Sequence, residues 1–272
     1  MALTRELEEL TCRVGQCAEL SRSDPMRDLE RSICGCDYGS TGNTTRQEAE
    51  EVSRLLDLRS GTKLLDVGAG SGWPGLYLAQ LTGCDLVVVD IPLAVLRIAR
   101  ERAAADGLAD RCRAVVADGA ALPFRDASFD ALNHSDLLCC TPDKAGVLAE
   151  CRRVARDGAR MTFTTISLAP SLTDSDRRTT IECAPRFVDS DDDCEVLLGR
   201  SGWCLQEQTD LTAAFLRFMQ AELDGMTIRA EALAHVFGPV EFTERVKRQQ
   251  AGIAVIAAGF LRRELFVARA GR

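Results

Sequence analysis

The chain has 272 residues, of which 46% are hydrophobic, so it is long enough to bury a large core in one domain with insertions. Acidic residues outnumber basic ones by 41 to 33, and the resulting net charge of −8 argues against a nucleic-acid partner. The longest uncharged apolar stretch, AGIAVIAAGFL at 251–261, is too short to cross a bilayer, and the start, MALTRELEEL, is too polar for a signal peptide. We therefore expect a cytoplasmic protein with no membrane partner.

Residues 1–45 are predicted to form a helical lid followed by a loop. Apolar residues recur at helical spacing through 3–20 with charges between them, which indicates an amphipathic helix. The polar segment CGCDYGSTGNTT at 34–45 is typical of a loop, and a second helix is predicted for about 46–58.

From residue 63 onward, short β-type runs alternate with helical segments, which indicates βαβ units and a parallel sheet. The runs are apolar almost throughout, as expected when helices cover both faces of a sheet. The seven predicted strands are 64–67, 86–90, 114–117, 130–133, 160–165, 205–209 and 264–269. The expected fold is α/β, with a mostly parallel seven-stranded sheet and helices on both faces.

Two connections near the end of the chain are longer than a simple helical return requires. They place inserts at about 167–200 and 212–260 within a core of residues 46–272, and the second insert is predicted to be helical. Because ligands bind beyond the carboxyl ends of the strands in open α/β sheets, such inserts are expected to build a substrate chamber.

The stretch LLDVGAGSGWPG at 64–75 contains four glycines after a predicted strand, so a ligand is expected to approach the backbone closely. Gly70, Gly72 and Gly75 fit G-x-G-x-x-G, which on its own predicts a nicotinamide dinucleotide and an NAD(P)-dependent oxidoreductase. The other interpretation joins Asp66 to the loop Gly68–Ala69–Gly70–Ser71–Gly72. A carboxylate there repels a pyrophosphate but suits a cofactor that carries positive charge.

Two further carboxylates favour the second interpretation, because Asp90 and Asp118 end the second and third predicted strands. LLDVGAGSG, VVVD and DGAALPFRDASFD, in this order, resemble the motifs of class I S-adenosylmethionine-dependent methyltransferases of the small-molecule branch. The resemblance runs from about residue 46 to 165, and CRRVARDGARMTF departs from it by having Gly158-Ala159 where two glycines are usual. It implies a Rossmann-like sheet, S-adenosyl-L-methionine as methyl donor and S-adenosyl-L-homocysteine as product.

The resemblance also assigns cofactor contacts. Asp66 and the loop of Gly68, Ala69, Gly70 and Gly72 would hold the methionine end of the donor. Asp90, followed by Ile91, would bind the ribose hydroxyls, and Asp118 with Gly119 would recognise the adenine.

Three residues are predicted to take part in catalysis. His134 follows the fourth predicted strand, where the active-site wall of the family begins, and it is either a general base in contact with the cofactor or a structural histidine. Asp136 matches an acidic position of related enzymes and would contact the substrate or orient the lid. Tyr38 lies in a loop that would cover the cofactor, where its ring would pack against the sulfonium.

The expected function is methyl transfer to an oxygen, nitrogen or carbon atom of a small molecule with an apolar or aromatic body. A relative that binds the cofactor without turnover is a third hypothesis, and a homodimer is compatible with the sequence. The 12 cysteines are expected to be reduced and mostly buried, and no metal is predicted. A minor alternative gives Cys34, Cys36, Cys139 and Cys140 to a soft-metal, arsenite-type methyltransferase.

Overall fold

The computed structural model describes residues 5–38 and 42–271, so part of the predicted lid loop, residues 39–41, lies outside the described residues. One sheet forms the centre of the protein. Its strands are β1 (Lys63–Val67), β2 (Asp85–Asp90), β3 (Cys112–Val116), β4 (Phe129–Ser135), β5 (Ala155–Leu168), β6 (Trp203–Asp210) and β7 (Leu261–Ala270).

Eleven α-helices surround the sheet in the described ranges. They are α1 (Arg5–Leu20), α2 (Asp24–Cys34), α3 (Arg46–Leu55), α4 (Gly75–Thr82), α5 (Leu93–Ala105), α6 (Lys144–Val154), α7 (Asp174–Cys183), α8 (Cys194–Arg200), α9 (Thr212–Ile228), α10 (Ala230–Phe237) and α11 (Pro239–Ala257). The helices α7 and α8 fall in the first predicted insert, and α9, α10 and α11 fill the second.

The strand order is β3-β2-β1-β4-β5-β7-β6. The first five strands are parallel, whereas β7 runs antiparallel to both β5 and β6. This arrangement confirms the predicted seven-stranded, mostly parallel α/β fold. It also brings the carboxyl ends of β1, β2, β3 and β4 to one edge, where ligands bind in sheets of this kind.

Each face of the sheet is covered by its own core, because side chains alternate between the faces along a strand. On β1, Leu64 packs into the core that contains α3, α4 and α5, whereas its neighbour Leu65 packs into the core that contains α6 and α8. Burial on both faces explains why these strands are continuous apolar runs in the sequence.

The helix α2 was not predicted, although its sequence carries end signals. Pro25 lies in its first turn after Ser23 at the N-cap, and Gly35 ends it at a φ of 74°. It packs through Leu29 against Met226 and Leu233 of the second insert. Among the described residues, no helix is both long enough and apolar enough to span a membrane.

A buried arginine connects β7 to the polar face of the sheet. The side chain of Arg263 is fully buried, and its Nε lies 3.2 Å from both carboxylate oxygens of Asp136. Its Nη1 lies 3.0 Å from Oε1 of Glu48, and its Nη2 donates to Thr44 and Thr164. This guanidinium therefore links the last strand to β5, to the end of β4, to α3 and to the segment before α3.

Replacing Arg263 by methionine should lower the free energy of unfolding by about 3–5 kcal/mol, because two carboxylates lose their buried partner. Urea denaturation of the full chain measures this change. Arg262→Met, on the exposed neighbouring residue, is the matched control and should change stability by less than about 0.5 kcal/mol. Equal losses in the two variants would contradict the role of the buried guanidinium.

Candidate active site

A cavity of about 270 Å³ opens at the carboxyl ends of the parallel strands. Its wall combines the glycine-rich loop after β1 with polar groups that follow β2, β3 and β4. The sequence-predicted residues in the wall are Gly68, Ala69, Gly70, Asp90, Ile91, Asp118, Gly119 and Asp136. Gly72, Asp66, His134 and Tyr38 are not among the lining residues.

The loop between β1 and α4 needs glycine for its backbone conformation and for space. Gly68, Gly70 and Gly72 have φ values of 69°, 53° and 99°, which place them in the left-handed region. A Cβ at Gly68 would lie 2.9 Å from Leu137 Cδ1, and one at Gly72 would lie 2.5 Å from Leu76 Cδ1. Any side chain at these two positions would therefore collide with Leu137 or Leu76. The part of the loop that faces the cavity is Gly68 to Gly70.

Asp66 holds this loop from behind. Its side chain is buried, and its oxygens accept hydrogen bonds from Asn133 Nδ2 at 2.7 Å and from the backbone N–H of Gly75 at 3.2 Å. Asn133 in turn accepts a hydrogen bond from the Thr162 hydroxyl. Asp66 thus fixes the start of α4, and its direct contact with a cofactor stays a prediction.

Burial raises the pKa of Asp66 to about 7, because the charged carboxylate loses its hydration, and the charge of Asp90 acts in the same direction. The hydrogen bonds from Asn133 and Gly75 oppose this rise but do not cancel it. A buried carboxyl group with a pKa near 7 makes the loop sensitive to pH.

Asp90 holds the same loop from the side and also faces the cavity. Its Oδ2 accepts from the N–H of Gly70 and its Oδ1 from the N–H of Ile91, both at 2.7 Å. Each oxygen keeps a second lone pair for a ligand hydroxyl. Burial raises the pKa of Asp90, against the effect of these two backbone hydrogen bonds.

Asp118 and Gly119 form the wall beyond β3. Oδ1 of Asp118 accepts from the N–H of Ala120 at 2.9 Å, which fixes the carboxylate at the start of the turn. A Cβ at Gly119 would lie 3.0 Å from Val67 Cγ1, so the backbone is tightly packed against β1. A side chain at residue 119 would therefore press against Val67 and Val147.

Asp136 lies in the cavity wall directly after β4, in a left-handed conformation with a φ of 53°. Besides its ion pair with Arg263, it accepts a hydrogen bond from Asn43 Nδ2 at 3.2 Å. Its negative charge is therefore matched within the protein, and it holds the segment before α3 against the cavity.

His134 does not reach the cavity. It is fully buried on the face of β4 opposite to that of its neighbour Asn133, and its ring stacks on Phe163 with centroids 4.6 Å apart. Burial lowers its pKa to about 3, and within the described residues neither ring nitrogen has a hydrogen-bond partner. His134 therefore lies outside the cavity wall in this structure, and its role as a general base in contact with the cofactor stays a prediction.

Tyr38 also lies away from the cavity wall. Its hydroxyl donates to Asp106 Oδ2 at 2.9 Å, and the guanidinium of Arg102 lies 4.4 Å from its ring centroid. Both partners belong to α5 or its end, so Tyr38 faces α5 in this structure, and its contact with the reacting group stays a prediction. Trp73, whose ring centroid lies 5.2 Å from that of Tyr38, lines the cavity instead.

Asn43 and Trp73 were not predicted to line the site, whereas the soft-metal alternative included Cys139 and Cys140. Asn43 and Thr44 come from the segment before α3, and Trp73 Nε1 donates to the carbonyl of Thr44 at 2.8 Å. Cys139 and Cys140 also line the cavity, with sulfur atoms 4.0 Å apart. The two cysteines could be expected at the site because they follow β4 closely in the sequence. Nothing local in the sequence indicates that Asn43 lines the cavity.

A second cavity of about 430 Å³ adjoins the first, and both are lined by Gly42, Asn43, Ile166 and Pro185. Its wall combines apolar and polar residues, and nine of its 19 lining residues come from the second insert. The aromatic and thioether residues in the wall are Met26, Phe215, Phe218, Met219 and Phe237.

Glu222, Arg245 and Gln249 form a polar patch in the wall of this second cavity. Gln249 Nε2 donates to Glu222 Oε2 at 2.7 Å. Burial raises the pKa of Glu222, while the Gln249 hydrogen bond and the charge of Arg245 oppose the rise. The arrangement suits a small molecule with an apolar body and at least one polar group.

The raised pKa of Asp66 predicts a pH-dependent stability. Below about pH 4 its contribution is fully present, and it falls by up to about 4 kcal/mol as the pH rises through 7, because the folded state then holds a buried charge. Asp66→Asn should remove this decline in urea denaturation between pH 4.5 and 8. Asp85→Asn, on the exposed start of β2, should keep the wild-type profile, and a pH-independent difference between Asp66→Asn and wild type would contradict the prediction.

The buried His134 predicts the opposite dependence of the folding stability on pH. Its folded-state pKa of about 3 lies below the ordinary value of 6.5, so its contribution is present above about pH 6.5 and is lost as the pH falls towards 3. His134→Phe should therefore reduce the loss of stability in acid. His235→Phe, at the exposed second histidine, is the control, and an acid sensitivity equal to wild type in His134→Phe would contradict this assignment.

Comparison with known proteins identifies the domain that carries the first cavity. Residues 65–163 match the family model described as a methyltransferase domain. The chain is 32% identical over 168 residues to methyltransferase GfsG of Streptomyces halstedii, a match that covers 60% of each chain. It is 33% identical over 141 residues to 27-O-demethylrifamycin SV methyltransferase of Amycolatopsis mediterranei, covering 49% of this chain and 51% of that one.

The fold is also found in solved structures. The geranyl diphosphate C-methyltransferase of Streptomyces coelicolor A3(2), solved with Mg²⁺, geranyl diphosphate and S-adenosyl-L-homocysteine, superposes with a TM-score of 0.74 at 14% identity, covering 98% of this chain and 99% of that one. The matched region spans between half and two thirds of the two sequence relatives. Residues 65–163 therefore match a methyltransferase domain, and the chain is similar in sequence and in fold to proteins described as methyltransferases.

Proposed function

We propose that this protein transfers the methyl group of S-adenosyl-L-methionine to an oxygen, nitrogen or carbon atom of a small molecule with an apolar body. The observation that carries the proposal is a donor-type cavity, walled by a glycine loop and acidic side chains, that adjoins an apolar chamber across Asn43, Ile166 and Pro185.

The residues of the first cavity fit the donor. Asp90 offers free lone pairs to the ribose hydroxyls, Asp118 and Gly119 in the cavity wall suit the adenine, and the loop from Gly68 to Gly70 suits the methionine end. The bound donor supplies an activated methyl group on a positively charged sulfur. The carboxylates of the wall favour that charge and disfavour the pyrophosphate of a nicotinamide dinucleotide, and the sequence relatives give the oxidoreductase hypothesis no support.

The second cavity would hold the acceptor. Its aromatic wall would bind the apolar body, while Glu222 and Gln249 would meet a polar group of the molecule. An apolar wall around a few placed polar groups is the usual composition of a small-molecule site. The rifamycin relative is named for an O-demethylated compound, which supports oxygen as the acceptor atom.

Positioning would supply most of the rate enhancement, because an in-line displacement on an activated methyl group needs alignment and the exclusion of water. Asn43 lies at the junction of the two cavities and is held there by Asp136. Since Arg263 neutralises Asp136, we assign this carboxylate to orienting Asn43 and not to proton abstraction.

Asp90→Ala tests the proposal at the donor site. Loss of a carboxylate that holds the loop and binds the ribose should weaken binding of S-adenosyl-L-homocysteine at least tenfold in titration calorimetry, since hydrogen bonds to a charged group contribute about 1.5–3 kcal/mol each. Asp85→Ala, at the exposed start of the same strand, should bind S-adenosyl-L-homocysteine within twofold of the wild-type affinity.

The activity itself is measured with methyl-labelled donor and a panel of hydroxylated apolar acceptors and alkylamines. Wild type should label at least one acceptor, and Asp90→Ala should label it far more slowly. Binding of NADH with no binding of S-adenosyl-L-homocysteine would overturn the proposal.

A further inference from the structure

We propose that Glu30, Cys34 and Cys36 form a binding site for one thiophilic divalent cation, with Zn²⁺ as the fitting metal. A carboxylate oxygen and two cysteine sulfurs, one from each residue, all lie within 4.8 Å of one another. Tetrahedral zinc with bonds of about 2.0–2.3 Å holds such ligand atoms roughly 3.3–3.8 Å apart, so small side-chain rotations suffice.

The local sequence explains how the three groups meet. Glu30 and Cys34 are four residues apart on α2 and therefore share one face of that helix. Gly35 ends the helix in the left-handed conformation, with a φ of 74°, and so reverses the chain. Cys36 follows this turn and comes back beside the last turn of α2.

The chemistry of the ligand set also favours a cation. Glu30 and Cys34 are buried, at 8% and 5% exposure. Zinc, which prefers thiolate and accepts carboxylate, is suited to this ligand set.

This site is not the four-cysteine soft-metal site of the minor alternative, which would also need Cys139 and Cys140. Cys139 and Cys140 line the donor cavity, whereas Cys34 and Cys36 line neither of the two cavities in the described part of the chain. The proposed cation would therefore not touch the donor. The proposal departs from the sequence-based expectation of no metal.

Metal binding would anchor the segment that leads to the donor cavity. Directly after Cys36, Asp37 pairs with Arg31 of α2 and with Arg102 of α5. A cation bound by Glu30, Cys34 and Cys36 would link the end of α2 to this segment a second time and more strongly than the ion pairs do. With an open fourth position for water, one cation would hold both the helix end and the start of this segment.

Cadmium titration of the reduced full chain tests the site, because Cd²⁺ reports thiolate ligation by its ultraviolet charge-transfer band. Wild type should bind one Cd²⁺ per chain with this band, and Zn²⁺ should displace it. Cys34→Ser/Cys36→Ser should lower the affinity at least 100-fold. The matched control is Cys139→Ser/Cys140→Ser, whose sulfurs are also close together, at 4.0 Å, and which should bind as wild type does.

Glu30→Gln is a second variant that keeps both thiols. It should retain the charge-transfer band while weakening Cd²⁺ at least tenfold. The proposal is overturned if Cys34→Ser/Cys36→Ser binds as tightly as wild type, if the cadmium site is lost in the Cys139→Ser/Cys140→Ser control instead, or if Glu30→Gln leaves the affinity unchanged. Circular dichroism of each variant confirms that it is folded.

Discussion

The donor cavity depends on two carboxylates that hold one glycine loop from different sides. Asp66 accepts a hydrogen bond from the N–H of Gly75 at the start of α4, and Asp90 accepts hydrogen bonds from the N–H groups of Gly70 and Ile91. These backbone groups are thereby held by acceptors at the ends of two adjacent parallel strands. The loop keeps an open, rigid upper surface, and the whole wall of the cavity is built around it.

Strand alternation divides the sheet into a polar face and an aromatic face near this edge. On β4, Asn133 joins Asp66 and Thr162 by hydrogen bonds, whereas the next residue, His134, stacks on Phe163, which in turn stacks on Phe266. A shift of one residue in register would exchange the two sets of side chains. The polar face carries the machinery that orients the site, and the aromatic face contributes packing.

The strands and the glycine loop could be predicted because their signals are local: apolar runs, glycines, and acidic residues at strand ends. The end of β4 was predicted two residues too early, so His134 belongs to a buried strand and not to the loop after it. Arg263 could not be assigned to Asp136 from sequence, since the antiparallel insertion of β7 brings together residues 127 positions apart. The second cavity depends on helix packing in the inserts, for which no local pattern exists.

The place of β7 between β5 and β6 imposes an order on assembly during synthesis. The edge strand β6 leaves the ribosome about fifty residues before β7, yet in the described sheet it pairs with β7 alone. It therefore has no partner in the sheet until β7 is available. Arg263 lies on that same strand, so one segment supplies both the partner of β6 and the cation that neutralises Asp136 and Glu48.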